Sequence, residues 1–161
     1  MWWEFRLGGR SRRRVTYFHQ AGRIYLVSAT AEITSVLSRI AMFLSKANSV
    51  FDVRWYETLS YGQFRNRDEV EMSKYALHES NKEQLFALFD SYEKECKRLI
   101  VECALPLPAY DFALKCSHTF NLLDARGAIS TTERAQYIGK VRDNARLCAE
   151  GYLKMREKLG Y

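Results

Sequence analysis

The chain has 161 residues, about one domain or a domain with a small appendage, and long enough to bury a core without staples. Hydrophobic residues make up 47% and charged residues 27%, which excludes a disordered tail, a collagen-like repeat and a coiled-coil rod. No apolar run approaches the roughly 18 residues of a membrane span, and the aromatic opening, broken by Glu4, lacks the apolar stretch of a secretory signal.

The net charge of +6 is local. Residues 1–30 hold six arginines (Arg6, Arg10, Arg12, Arg13, Arg14 and Arg23) against Glu4 alone, leaving +1 for all the rest. Such a basic arm either contacts phosphate non-specifically or is a solvated loop.

In chain order, Val15-Thr16-Tyr17-Phe18 and Ile24-Tyr25-Leu26-Val27 are β-branched and aromatic and predict strands. Glu32-Ile33-Thr34 predicts a third, short strand. Leu37, Ile40, Ala41 and Leu44 fall at helical spacing and predict a helix near residues 35–46. Residues 49–55 predict a further strand, and Tyr61-Gly62-Gln63 a turn. Beyond residue 66 the pattern becomes helical. Ser80 and Glu83 have capping-box spacing, and Leu85, Phe89, Tyr92, Cys96, Leu99 and Cys103 follow as one apolar stripe. Pro106 and Pro108 stop that helix, with Pro108 suited to the first turn of the next, over residues 109–123. Ser130 and Glu133 predict a second capping box. Ile138, Val141, Ala145, Cys148, Tyr152, Met155 and Leu159 then form the stripe of a long helix ended by Gly160. The expected fold class is α+β, with residues 1–65 mixed and residues 66–161 helical.

Four cysteines without a Cys-x-x-Cys pair give no metal signature, and Cys116 with His118 cannot complete a zinc site. Cys96 and Cys103 read as core residues. Reduced thiols fit an intracellular protein. His118 and Asp124 make no catalytic pair, and no residue stands out as nucleophile or base. The glycine-rich phosphate loops are absent. Asp124-Ala125-Arg126-Gly127 reads as a helix exit, with Gly127 in the left-handed turn and Arg126 over the last carbonyls, in preference to the alternative of a direct substrate contact.

Two spacings point to binding. Glu32 and Thr34, two apart on a strand, share a face. They either converge as a carboxylate and hydroxyl able to hold an ammonium group, or line an edge strand facing water. Arg39, early in an apolar helix, either grips a phosphate through its planar fork or lies on the polar face with its stem packed.

Longer strings carry a family resemblance. Leu105-Pro106-Leu107-Pro108-Ala109-Tyr110-Asp111, then residues 117–130 (Ser117-His118-Thr119-Phe120-Asn121-Leu122-Leu123-Asp124-Ala125-Arg126-Gly127-Ala128-Ile129-Ser130), resemble the α subunit of bacterial heterotetrameric glycyl-tRNA synthetase. Thr132-Glu133-Arg134 and Tyr137-Ile138 fit as well. Upstream, Trp3-Glu4, Thr16-Tyr17-Phe18, Gln20, Glu32-Ile33-Thr34, Leu37 and Arg39-Ile40-Ala41-Met42 fit without a gap.

The resemblance implies a partial class II aminoacyl-tRNA synthetase antiparallel sheet (residues 1–65, the motif-three region) followed by a C-terminal helical region (66–161). It implies a glycine–tRNA ligase that forms glycyl-adenylate from glycine and ATP and passes glycine to tRNA(Gly). It further implies magnesium alongside ATP, an α2β2 assembly with a β subunit, and a cytoplasmic location. Residue by residue, Glu32 and Thr34 match the strand at the glycine pocket. Gln20 matches a glutamine lining the adenylate site, and Arg39 the motif-three arginine on the ATP polyphosphate.

The match has departures. The family pattern Gly-Glu-Ile-Thr-Tyr-Gly-Leu-Glu-Arg stands here as Ala31-Glu32-Ile33-Thr34-Ser35-Val36-Leu37-Ser38-Arg39. Val36 is costly there if its backbone needs positive φ. The run Arg10-Ser11-Arg12-Arg13-Arg14 replaces a largely uncharged strand with one glutamate, and repulsion among its arginines is expected to unsettle that strand. Segments equivalent to motifs one and two have no counterpart, so the expectation is a chain incomplete for catalysis by itself. The alternative is a non-catalytic remnant acting as a helical partner- or RNA-binding module.

Overall fold

The computed structural model describes residues 2–7 and 9–160. Strands β1 (Trp2–Leu7), β2 (Arg10–Ala21) and β3 (Ile24–Ser35) form an antiparallel-paired sheet in the order β1-β2-β3. Helix α1 (Leu37–Leu44), a 3-10 turn (Val50–Asp52), the short ribbon β4 (Arg54–Tyr56) and β5 (Leu59–Ser60), and α2 (Tyr61–Lys74) follow. A π-helical turn (Tyr75–Glu79) leads to α3 (Lys82–Val101), α4 (Pro106–Ala125) and α5 (Thr131–Lys158). The α+β class holds.

Two compact units result. One comprises residues up to His19 with Leu26–Ser73; the other comprises Gln20–Tyr25 with residues from Lys74 onward.

In the second unit α3, α4 and α5 pack pairwise on one another. Cys96, Leu99, Ala109, Ala113 and Cys148 form one buried cluster, and Phe89, Cys116 and Phe120 another. Small residues at 109, 113 and 116 of α4 let the helices approach closely. The Cys96 and Cys148 sulfurs stand 3.8 Å apart, and burial pushes the Cys96 thiol up to about 12. Tyr137 of α5 meets the Phe89 ring edge-on at 4.7 Å, the preferred quadrupole arrangement. Glu93 of α3 holds Lys97 at 2.5 Å and Lys140 of α5 at 3.3 Å. Burial raises its carboxyl pKa, but the two ammonium groups outweigh that and hold it below the usual range.

Some local expectations are corrected. Glu32-Ile33-Thr34 is not a separate strand but the end of β3, because no turn residue interrupts the run from Ile24. Residues 49–55 divide into a 3-10 turn, capped where the Ser49 hydroxyl accepts from the Phe51 N–H, and the start of β4. Tyr61-Gly62-Gln63 opens α2 rather than a turn: the Ser60 hydroxyl and the Gln63 side chain exchange bonds with each other's backbone N–H, a capping arrangement. Gly62 is needed there because a Cβ would lie 2.8 Å from that of Phe51.

Asn81, not Ser80, caps α3, accepting from the Gln84 N–H at 3.0 Å. α4 begins at Pro106, after Leu105, rather than near Ala109; Pro106 takes its first position, and Pro108 lies in the first turn as expected. Cys103 lies past the end of α3 and is exposed, so the apolar stripe stops at Leu99. The Ser130–Glu133 capping box forms as expected. Along α5, Cys148 is buried while Tyr152 and Leu159 face solvent.

Candidate functional site

β2 and β3 are joined by Gly22-Arg23, both at positive φ (58° and 65°), the backbone of a type I′ hairpin. Within the helical unit this tip meets α5. A Cβ on Gly22 would lie 2.9 Å from that of Ala149, and the Arg23 guanidinium reaches Asp143 at 3.1 Å. That ion pair spans 120 residues, so no local pattern announces it; the Gly-x pair between two strand signals is what marks the turn.

β3 passes directly into α1 through Val36, which sits at φ −87° and ψ 95°. The positive φ that would penalise a β-branched residue is not required here. Thr34 Oγ1 donates to Glu32 Oε1 at 2.5 Å, so the two side chains converge on one face of β3, as their spacing requires. Both are exposed. Arg39 is also exposed, and its Nη1 donates to the Ser11 carbonyl at 3.1 Å, anchoring α1 to β2. Glu32, Thr34 and Arg39 thus lie on consecutive elements of one unit, whereas Gln20, exposed near the end of β2, belongs to the other. A groove of about 670 Å³ has different walls: Ile100, Pro106, Leu147, Gly151 and Met155 of the helical unit.

The arginine run does not break β2, which is continuous over twelve residues. Glu4 lies opposite Arg14 and accepts from Arg6 at 2.7 Å. Hydrogen bonding from Ser11, then from Arg6, holds its carboxyl below the usual range. Ser11 supplies a hydroxyl to Glu4 and a carbonyl to Arg39.

At the exit of α4, Gly127 has φ 56°, as its place requires. Arg126 does not cover the carbonyls of its own helix. It donates to those of Leu77 and Ser80, each at 3.1 Å, and so ties the π turn to α4. Asp124 is taken by Arg134 at 3.1 Å.

An exposed guanidinium on a helix anchored to the sheet fits the anionic polyphosphate of ATP. The donor set for magnesium is different. Among the described residues no three His, Cys, Asp or Glu side chains converge. A magnesium ion would therefore be carried largely on phosphate and water, with no more than two carboxylates from the described residues, and no step is assigned to it.

Antiparallel strands followed by packed helices are the layout of a class II aminoacyl-tRNA synthetase part. Compared with known families, residues 1–157 match the one described as glycyl-tRNA synthetase alpha subunit. Nearly the whole chain is covered, and it belongs to the glycyl-tRNA synthetase α-subunit family, a family of ligases. No helix among the described residues is long and apolar enough to cross a membrane.

Proposed function

We propose that this chain carries the motif-three part of a glycine-activating site and works in the cytoplasm with a β subunit, in an α2β2 assembly acting on tRNA(Gly). The observation that carries the reading is the β3–α1 unit. It presents a carboxylate–hydroxyl pair, Glu32 with Thr34, and five residues after Thr34 an anchored guanidinium, Arg39. Glycine has no side chain to recognise, so selection rests on its ammonium group and on excluding bulk. Glu32 supplies charge for that ammonium, and Thr34 fixes the carboxylate's direction. Gln20 belongs to the other unit, and its assignment to the adenylate rests on the resemblance alone.

No side chain acts as nucleophile. The glycine carboxylate oxygen attacks the α-phosphorus of ATP, the bond to the bridging oxygen breaks, and pyrophosphate leaves with that electron pair. Arg39 neutralises charge growing on the pyrophosphate, and losing one such donor typically costs about 100- to 1000-fold in rate. The second half-reaction moves glycine from the adenylate to tRNA(Gly) and releases AMP. Motifs one and two would come from other sequence, on the same polypeptide or another, because the α-phosphate needs its own arginine.

A second reading rests on a specific observation: Gln20, Glu32, Thr34 and Arg39 are all exposed, whereas the packed core lies in α3–α5. It makes the chain a non-catalytic helical module that binds a protein partner or RNA.

Glycine-dependent ATP–pyrophosphate exchange separates the two. The chain is assayed alone, and with a family β subunit plus an N-terminal α fragment bearing motifs one and two. Exchange only in the mixture, abolished by Arg39→Ala, is the expected result. No exchange in any mixture of folded proteins refutes the catalytic reading and favours the binding module. Exchange by the chain alone overturns the need for motifs one and two.

A further inference from the structure

The β1–β2 ribbon sorts its side chains by face. Antiparallel register sets Trp3 opposite Val15 and Phe5 opposite Arg13, and directly opposed residues project to the same side. Tyr17, two residues beyond Val15, joins that side. Glu4, Arg6, Arg14 and Phe18 take the other. The first face therefore carries three exposed rings, Trp3 at 56%, Phe5 at 60% and Tyr17 at 42%, around the exposed Arg13. None of these rings contacts another ring among the described residues, and Arg13 has no carboxylate partner there. The charge pairing sits on the opposite side, where Glu4 binds Arg6 and faces Arg14.

Flat rings about 7 Å apart along a strand, beside an unneutralised guanidinium, match one partner chemistry. Bases stack on aromatic faces whatever their identity, and phosphates follow the cation. An apolar protein partner would leave Arg13 unpaired in the interface, at a desolvation cost. The arginine run that gives this region its charge stands where the resembling family has a largely uncharged strand, so the charge beside the rings, unlike Trp3 and Tyr17 themselves, is a departure of this chain.

We propose that the Trp3–Phe5–Arg13–Tyr17 face binds single-stranded nucleic acid by stacking and charge, without reading sequence. It does not depend on amino-acid activation, and a chain inactive in pyrophosphate exchange still has this surface.

The test is fluorescence anisotropy of the full chain with a labelled ten-nucleotide oligouridylate, an oligodeoxythymidylate and a blunt DNA duplex, over a salt series. Both single strands are expected to bind, and the duplex more weakly. Trp3→Ala and Phe5→Ala should each weaken single-strand binding about 5- to 100-fold. Trp3→Phe, which keeps a ring, should restore most of it. Phe18→Ala removes a ring from the other face and should change nothing, which separates lost stacking from a damaged ribbon. Arg13→Gln should lower the salt slope by about 0.7. Absence of single-strand binding at low salt, preference for the duplex, or equal losses from Phe18→Ala and Trp3→Ala would each overturn the proposal.

Discussion

The two units differ in how they spend apolar side chains. Every buried residue among those described lies between Ser80 and Cys148, in or beside α3, α4 and α5. In the other unit Trp3, Phe5, Val27, Ile33, Leu37, Leu44 and Trp55 are all more than half exposed. Burial of apolar area is the main favourable contribution to folding, so the helices hold their own structure while the sheet leaves rings and cations available to partners. The difference teaches that stability and candidate chemistry reside in different halves of this chain.

The sharpest way to break that contrast is to remove core from one unit and a ring from the other. Phe89 is fully buried beneath Tyr137. Phe89→Ala should cost about 3–5 kcal/mol, read as a fall in the thermal midpoint of the helical circular-dichroism signal. Trp3→Ala should leave that midpoint within about 0.5 kcal/mol, the range of surface substitutions. Equal shifts from both would mean that the sheet unit is part of the same cooperative fold. Hydrogen exchange gives the same comparison without mutation: amides of α3–α5 should outlast those of α2, whose residues are nearly all exposed.

A smaller effect tests the polar stitch of the helical unit. Glu93 is held below its ordinary pKa by Lys97 and Lys140 despite burial. In acid the unfolded chain takes up the proton at a higher pH than the folded one. Stability from this group is therefore complete above the unfolded value of about 4.5 and is lost as pH falls through the lowered folded value. Glu93→Gln should remove about 1–2 kcal/mol at pH 7, the range of a charge-assisted bond whose lysines are partly in water. It should also flatten acid denaturation below pH 4.5. A parallel downward shift at all pH values would assign the loss to packing instead.

Legibility in the sequence follows the same division. The α3 stripe is legible as far as Leu99 because a buried helix imposes a 3.6-residue period on its own sequence, and the Ser130–Glu133 box and the Gly127 exit because cap chemistry is local; of the α5 stripe only Cys148 is buried, while Tyr152 and Leu159 face solvent. The α4 stripe of Ala109, Ala113, Cys116, Phe120 and Leu123 was masked by small residues, whose value lies in letting neighbours approach. Buried Asn144, whose Nδ2 is 3.9 Å from the Cys116 sulfur, gave no signal at all, because a polar residue on a helix reads as a surface one. In the sheet unit the strands were visible, but their pairing was not: the Glu4–Arg14 opposition that lets β2 tolerate its arginines exists only in register. Of the candidate site, the Glu32–Thr34 convergence followed from strand period alone. Anchoring of Arg39 by the Ser11 carbonyl could not, since the acceptor is backbone and lies 28 residues away.

The least expected loss comes from a cap, and it sharpens where the helical unit begins to fray. Ser130 accepts from the Glu133 N–H, and Glu133 returns the bond to the Ser130 N–H at 2.8 Å. Ser130→Ala removes one acceptor for the first turn of α5, leaving that N–H to water, which is near at this exposed end. The expected cost is about 1 kcal/mol, smaller than for Phe89→Ala because solvent replaces part of what the hydroxyl gave. Because Glu133 also sits in the first turn, where its charge favours the helix dipole, Glu133→Gln should cost less than Ser130→Ala while keeping the reciprocal bond. Exchange of the amides at residues 131–134 should quicken in Ser130→Ala while those near Asn144 and Cys148 stay slow. Were the whole of α5 to quicken together, the helix would be opening as one cooperative body from its cap, and the packing of Cys148 against Cys96 would contribute less to the unit than its burial implies.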